Sequence, residues 1–287
     1  MHSVNRDSAS PLEAGVAQDF EPVEILAGNE SGGLLLLCDH ARNELPQAYG
    51  TLGLPRAQLE RHIGYDIGAR DLTHTLAARL GAPAVLTTFS RLLIDPNRGE
   101  DDPTLVMRIS DGALIPENAY IGAGERQKRI ERYYRPYHEA VSATLDRMTA
   151  SGRPPVIISI HSFTAIWRGW ARPWHTSILW DLDPRVPDIL FAALARDPAL
   201  IVGDNEPYDG ALRNDTMYKH ATTRGLAHAL IEVRQDLIGN AQGVADWADR
   251  LEPILREANA VEETHVVRQY GSRADPSRTR QALRNRT

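Results

Sequence analysis

A chain of 287 residues, 42% hydrophobic and 24% charged, has the composition of an ordinary globular protein, and should bury roughly three quarters of its unfolded surface. Its net charge of −6 offers no long-range attraction for nucleic acid or an anionic membrane, and the single cysteine, Cys38, excludes an internal disulfide framework. No apolar run approaches the length of a membrane span, and the first twenty residues lack the basic start and apolar middle of a signal peptide, so the cytoplasm is the expected compartment.

In chain order, residues 1–22 are polar and read as a flexible tail. Gly32-Gly33 opens a predicted strand over 34–38, which runs into Asp39-His40 and a loop marked by Pro46. A short helix is expected over 56–62. A longer one is expected over 66–80, with an apolar stripe of Ala69, Leu72, Leu76 and Leu80, Asp66 as N-cap and Gly81 as terminator. Strand-like runs at 84–89 and 92–94 feed Asp95-Pro96-Asn97-Arg98. The aperiodic segment 99–124 is long enough to expect a functional loop over the site.

A long amphipathic helix follows over 125–150, adjusted around Pro136. Residues 156–161, rich in β-branched side chains, form a buried strand ending on His161. Further elements are a strand at 176–180, a helix at 187–195, a brief strand at 200–202, a helix at 216–224, a strand at 229–233 and a helix at 243–260. The remainder, with Arg268, Arg273, Arg278, Arg280, Arg284 and Arg286, reads as a basic solvated tail over 263–287. Alternating strands and helices predict one α/β domain over 23–262, built on a mainly parallel sheet with helices on both faces.

In such sheets ligands collect at the carboxyl ends of the strands, and three endings carry chemistry-bearing groups. His40 and His161 are candidate zinc ligands, since a catalytic zinc usually has three protein ligands and one open position. Asp66 and Glu44 both qualify as the third, and spacing alone does not choose between them. Glu232, a carboxylate interrupting the apolar strand Ile231-Glu232-Val233-Arg234, is either half of an ion pair with Arg234 or a general base beside a metal-bound water. Asn97-Arg98 offers an amide and a planar guanidinium for a substrate carboxylate, with Arg91 and Arg234 as further candidates. Cys38 reads as a buried structural thiol, His175, His220 and His228 as structural or as supports behind the site residues, and His138 as a surface residue of its helix.

Taken together, the segments 38–43, 62–69, 90–98, 110–112, 160–163, 203–208 and 231–237 resemble the N-formylglutamate amidohydrolase family over nearly the whole core. That family is similar in fold to the zinc carboxypeptidases and aspartoacylases. The resemblance therefore implies a three-layer α/β/α phosphorylase/hydrolase-like fold with a mostly parallel mixed sheet. In those relatives a Ser-Ile-His-Ser element supplies a zinc histidine, an Asn-Arg pair holds the substrate carboxylate and a strand-end Glu is the base. The matches here are residues 159–162, Asn97-Arg98 and Glu232. A carboxypeptidase-like His-x-x-Glu spacing would require Glu at position 43, where this chain has Asn43; in related zinc amidases the acidic ligand opens the following helix, the place of Asp66.

The implied reaction is the hydrolysis of an N-formyl or N-acyl amino acid, N-formyl-L-glutamate in the family, where it closes one route of histidine degradation. His40, Asp66 and His161 would hold Zn²⁺, Glu232 would act as base, and Arg234 would assist at the oxyanion. Asn97, Arg98 and Arg91 would anchor the carboxylate, and Asn205-Glu206 would line the site. The expected partner is a small-molecule substrate, with neither nucleic acid nor membrane; the sequence leaves oligomeric state open. A zinc amidase or peptidase of other N-acyl specificity fits the same residues, and a binding protein without metal is the reading from another class.

Overall fold

A computed structural model describes residues 20–275, so the outer parts of both expected tails, 1–19 and 276–287, lie outside the described residues. The chain forms β1 (Val23–Leu26), β2 (Leu34–Cys38), α1 (Arg56–Leu59), α2 (Ala69–Leu80) and β3 (Ala84–Thr87). A small hairpin, β4 (Ile109–Ser110) and β5 (Ala113–Leu114), precedes α3 (Ala123–Arg129) and α4 (Arg135–Ala150). Next come β6 (Val156–Phe163), a second small hairpin of β7 (Ile166–Trp167) and β8 (Trp170–Ala171), β9 (Thr176–Leu179) and α5 (Arg185–Leu194). Then follow β10 (Val202–Asp204), α6 (Thr216–His220), β11 (His228–Arg234) and α7 (Ala241–Ala260).

Seven strands make one sheet in the order β1-β3-β2-β6-β11-β9-β10. The four central strands β3, β2, β6 and β11 are mutually parallel; β1 is antiparallel to β3, and β9 is antiparallel to β11 with β10 parallel to β9. The central strands are buried on both faces, so their side chains sort by the two-residue period of a strand. Leu34, Leu36, Ile158, Ile160, Ile231 and Val233 pack against α2, α5 and α7. Leu35, Leu37, Ile157 and Leu230 meet α4 and α6 across the other face. This is the expected three-layer α/β/α arrangement. The same period puts Ser159, His161 and Glu232 on the α4 side, at the carboxyl ends of the parallel strands.

Several local expectations are corrected. Residues 92–94 form turns rather than a strand, and Leu92, Leu93 and Ile94 bury themselves in a third apolar cluster with Tyr49, Phe89, Leu105 and Ile130. Asp66 does not cap α2: Gly68 occupies the cap at φ 81°, and a Cβ there would stand 2.2 Å from the Ile238 carbonyl oxygen. The long helix over 125–150 is α3 and α4 joined through a single π turn at Ile130–Tyr134, directly ahead of Pro136, whose ring nitrogen has no hydrogen to donate. The segment 263–275 lies against the domain. Arg268 pairs with Glu263, Arg273 with Asp181 and Asp209, and the Tyr270 ring lies under Arg185. No helix among the described residues is long and apolar enough to cross a membrane.

Candidate active site

His40 stands two residues beyond β2, and its carbonyl accepts the Asp66 backbone N–H at 2.9 Å, which draws the lead-in of α2 over the end of the sheet. His161 lies inside β6, one strand over. Their rings meet edge-on with centroids 5.0 Å apart. Both Nδ1 atoms point at the same oxygen, Asp66 Oδ2, at 3.3 Å from His40 and 2.8 Å from His161. One ligand atom from each of the three buried side chains lies within 4.8 Å of the others. Glu44, the alternative third ligand, is instead exposed and paired with Arg42.

The outer ring nitrogens are also occupied. His40 Nε2 donates to Asp95 at 2.7 Å and His161 Nε2 donates to Asp39 at 2.9 Å. Carboxylates only accept, so both Nε2 atoms carry hydrogen; the two Nδ1 atoms share Asp66 Oδ2 through their own hydrogens in the metal-free site, and once deprotonated are the ring atoms that could hold a metal. Asp39 is completed by Ser159 Oγ, Tyr137 OH and Thr216 Oγ1, and Asp95 by Arg91 and the Asn97 N–H. Sequence reasoning missed both acids as supports. The available signal was an aspartate adjoining each of two site motifs.

Burial favours neutral carboxyls, yet the contacts of Asp39 and Asp66 with the two histidines, and those of Asp95 with Arg91 and His40, hold all three well below the usual carboxylate range. Burial likewise works against a charged His161, but hydrogen bonds to Asp39 and Asp66 raise it well above an ordinary histidine; His40 is raised by Asp95 and Asp66 despite burial and Arg91. Three buried carboxylates against Arg91, the guanidinium hydrogen-bonded to two of them, and the more distant Arg98 leave an excess of negative charge. Without a metal, imidazolium protons answer that charge. A divalent cation bound through two Nδ1 atoms and a carboxylate oxygen answers it equally, with a donor set suited to zinc.

Beside the cluster opens a cavity of about 470 Å³ lined by His40, Asp66, His161, Glu232, Asn97, Arg98 and Arg91 among others. Glu232 is the direct cross-strand neighbour of His161, and its Oε2 is buried without a hydrogen-bond partner. Burial pushes its carboxyl up to about 7, against the opposing charges of His161 and His40. Arg98 approaches Asp95 no closer than 3.9 Å, whereas Arg91 is bound to Asp95 at 2.7 Å and faces Asp66 at 3.5 Å. Asn97 Oδ1 accepts the Thr216 N–H, which fixes the amide beside α6.

Three expected site residues do not line the cavity. Arg234 turns to Asp236 at 2.8 Å and to the carbonyls of Arg172 and Trp174, because its carboxylate neighbour in the next turn outcompetes the cavity. Asn205 adopts φ 53° and spends its side-chain oxygen on the N–H groups of Trp180 and Gly210, a turn-forming task. Glu206 is exposed. Their neighbour Tyr208 does line the cavity, as do His62, Trp167 and Asp215, which no spacing or periodicity signalled. Met107 and Ser110 bring the segment 99–124 to the same cavity.

His138 is also corrected. It is buried, stacked on His220 with ring centroids 5.1 Å apart, and its Nδ1 lies 2.8 Å from His220 Nε2. His138 Nε2 must donate to the Pro96 carbonyl at 3.1 Å, so its Nδ1 accepts from His220. This neutral pair anchors the backbone just ahead of Asn97-Arg98.

The N-formylglutamate amidohydrolase family matches residues 32–239. The N-formylglutamate deformylase of Pseudomonas putida is 29% identical over 161 residues, 51% of this chain and 54% of that protein, so the chain spans about half the length of the curated relative it matches. A gene product of Agrobacterium tumefaciens of known crystal structure is 34% identical with a TM-score of 0.80, covering 84% of this chain and 95% of that one. The N-formylglutamate amidohydrolase of Ralstonia eutropha, 23% identical with a TM-score of 0.65 over 84% of this chain and 98% of that one, shares the fold. With a match running from the start of β2 to the turn after β11, this chain belongs to the N-formylglutamate amidohydrolase family.

Proposed function

We propose that the protein hydrolyses the amide of an N-formyl amino acid, N-formyl-L-glutamate foremost, releasing formate and the free amino acid. The observation that carries this reading is Glu232: a buried carboxylate with an unpartnered oxygen, held by strand register beside His161 and open to the cavity. His40 Nδ1, His161 Nδ1 and Asp66 would hold Zn²⁺. When bound there, zinc acidifies a water and neutralises charge developing on the substrate carbonyl.

Glu232 takes a proton from the attacking water and returns it to the departing nitrogen. A carboxyl near 7 is suited to both directions of transfer at neutral pH. Arg98, the less committed of the two cavity arginines, grips the α-carboxylate beside the Asn97 amide. Arg91, tied to Asp95 and Asp66, orients the acids that hold the histidines. Asp39 and Asp95 keep Nε2 of each ring protonated, so that Nδ1 faces the cluster.

The test is the metal content of the purified chain, with formate release from N-formyl-L-glutamate before and after chelation. About one zinc per chain is expected, with release lost on chelation and restored by zinc. Full activity in metal-stripped protein would overturn the reading.

A further inference from the structure

Three arginines among the described residues are buried: Arg129 pairs with Glu125 and Arg185 with Asp183, but Arg172 forms no ion pair among the described residues. Its partners are neutral. Nη1 donates to Thr164 Oγ1 at 3.2 Å and to the Tyr208 hydroxyl at 3.3 Å, Nη2 donates to the same hydroxyl at 3.3 Å, and Nε is buried without a partner. Three rings surround the guanidinium, those of Tyr208 at 5.3 Å, Trp167 at 5.5 Å and Phe163 at 5.7 Å. These rings compensate a desolvated cation only in part. An isolated buried charge is unfavourable unless something of opposite sign completes it.

Phe163, Thr164, Trp167 and Tyr208 all line the cavity that holds the His-Asp-His cluster. The Tyr208 hydroxyl accepts both Arg172 contacts, so its own hydrogen is free for a different acceptor. Arg172 itself stands behind this lining, so a guanidinium behind and an O–H in front form an anion-recognising pair, the cation acting through the hydroxyl it donates to. Arg98 leaves the sheet on the loop after β3, and Arg172 on the hairpin after β6. In strand order β2, which leads to His40, lies between them.

We infer that Arg172 and Tyr208 form the subsite for a second carboxylate, on the side chain of the substrate, and so select N-acylated acidic amino acids over neutral ones. This inference rests on the proposed function and adds to it the residues that hold the side-chain carboxylate, making Arg172 the determinant of specificity rather than of the bond-breaking step.

The test compares kcat/KM for N-formyl-L-glutamate with that for N-formyl-L-glutamine, its neutral near-isostere, using the full chain with zinc. Arg172→Met should lower the glutamate-to-glutamine ratio by about 30-fold, the scale of a lost charge-assisted contact. Arg172→Lys should restore part of that ratio. Tyr208→Phe keeps the ring and removes the donor, and should lower the ratio by about 5-fold; it serves where Arg172→Met does not fold. A ratio unmoved in these variants, or equal losses on both substrates, would overturn the subsite. Hydrolysis of neither substrate by the parent protein would instead fail the proposed function. Calorimetric binding of L-glutamate against L-glutamine then reads the subsite directly. Tighter binding of glutamate that disappears in Arg172→Met supports it, and equal binding in the parent protein overturns it.

Discussion

Glu232 and His161 are directly paired residues of two parallel strands, β11 and β6, and both side chains leave the same face of the sheet. The distance between the proposed base and a proposed metal ligand is therefore set by sheet register, a spacing held by main-chain hydrogen bonds. Glu232→Gln keeps shape and removes the proton acceptor. It should reduce kcat by about 10²- to 10⁴-fold while zinc content stays at the parent level. Loss of metal in the variant would show that Glu232 holds the ion rather than moving protons.

Asp39 and Asp95 should matter to metal affinity although neither belongs to the ligand set. Asp39→Asn and Asp95→Asn remove the charge that fixes each imidazole tautomer. Each should weaken zinc binding by about 10- to 100-fold, measured by competition with a chromophoric chelator. Unchanged affinity in both variants would assign these acids to stability alone.

Metal uptake should release protons. In the metal-free protein His161 is held protonated well above an ordinary histidine by Asp39 and Asp66, and His40 is raised in the same direction. A ligand whose proton is held more tightly yields it only against the metal, so zinc affinity should fall as pH falls. Calorimetry of zinc binding at pH 7 in buffers of different ionisation enthalpy counts the protons. None released would mean the rings are already neutral.

The pair His138 and His220 predicts an acid-sensitive fold. Burial pushes His138 down to about 4 and, aided by the neighbouring charge of His138, pushes His220 down to about 2. The unfolded chain, with ordinary histidines near 6.5, binds these protons first as pH falls, so stability is lost from about pH 6.5 downward, until the folded pKa of each is passed. For His138 alone this amounts to about 2 kcal/mol at pH 5. Urea denaturation between pH 7 and 5 measures it, and His138→Gln should flatten the dependence by roughly one proton.

Arg98→Ala should raise KM by about 10- to 100-fold with a smaller effect on kcat, because the α-carboxylate keeps its charge throughout the reaction and is bound similarly in ground and transition states. Unchanged KM would move the α-carboxylate site elsewhere.

The architecture was legible because its signals are periodic. Residues 34–38 and 156–161 are too apolar and too short for surface helices, and both are buried strands. The strand-end histidines stood out for the same reason: an imidazole closing a wholly buried run needs partners. Spacing does not separate Asp66 from Glu44 and only the resemblance favours it; the His40 carbonyl that draws the Asp66 backbone over the sheet is a long-range contact that no local pattern encodes. Arg234 misled because strand alternation put it on the face of Glu232, whereas Asp236, two residues on, gave it a nearer partner. Residues 92–94 misled because burial in the third apolar cluster imitates burial in a sheet. Arg172 and Tyr208 lie 36 residues apart on irregular segments and carry no periodic signature.

Gly68, lying against the Ile238 carbonyl oxygen, has a consequence for how such a site evolves. Asp66 precedes that contact by two residues and Glu232 precedes Ile238 by six, so the proposed acid ligand and the proposed base are referenced to one another through main chain pressed on main chain. Side-chain repacking cannot lengthen or shorten such a joint by small steps. Substitutions elsewhere in the cavity can therefore change which substrate is held while the separation of the reacting groups is inherited intact, and even alanine at position 68 would have to move the entire start of α2.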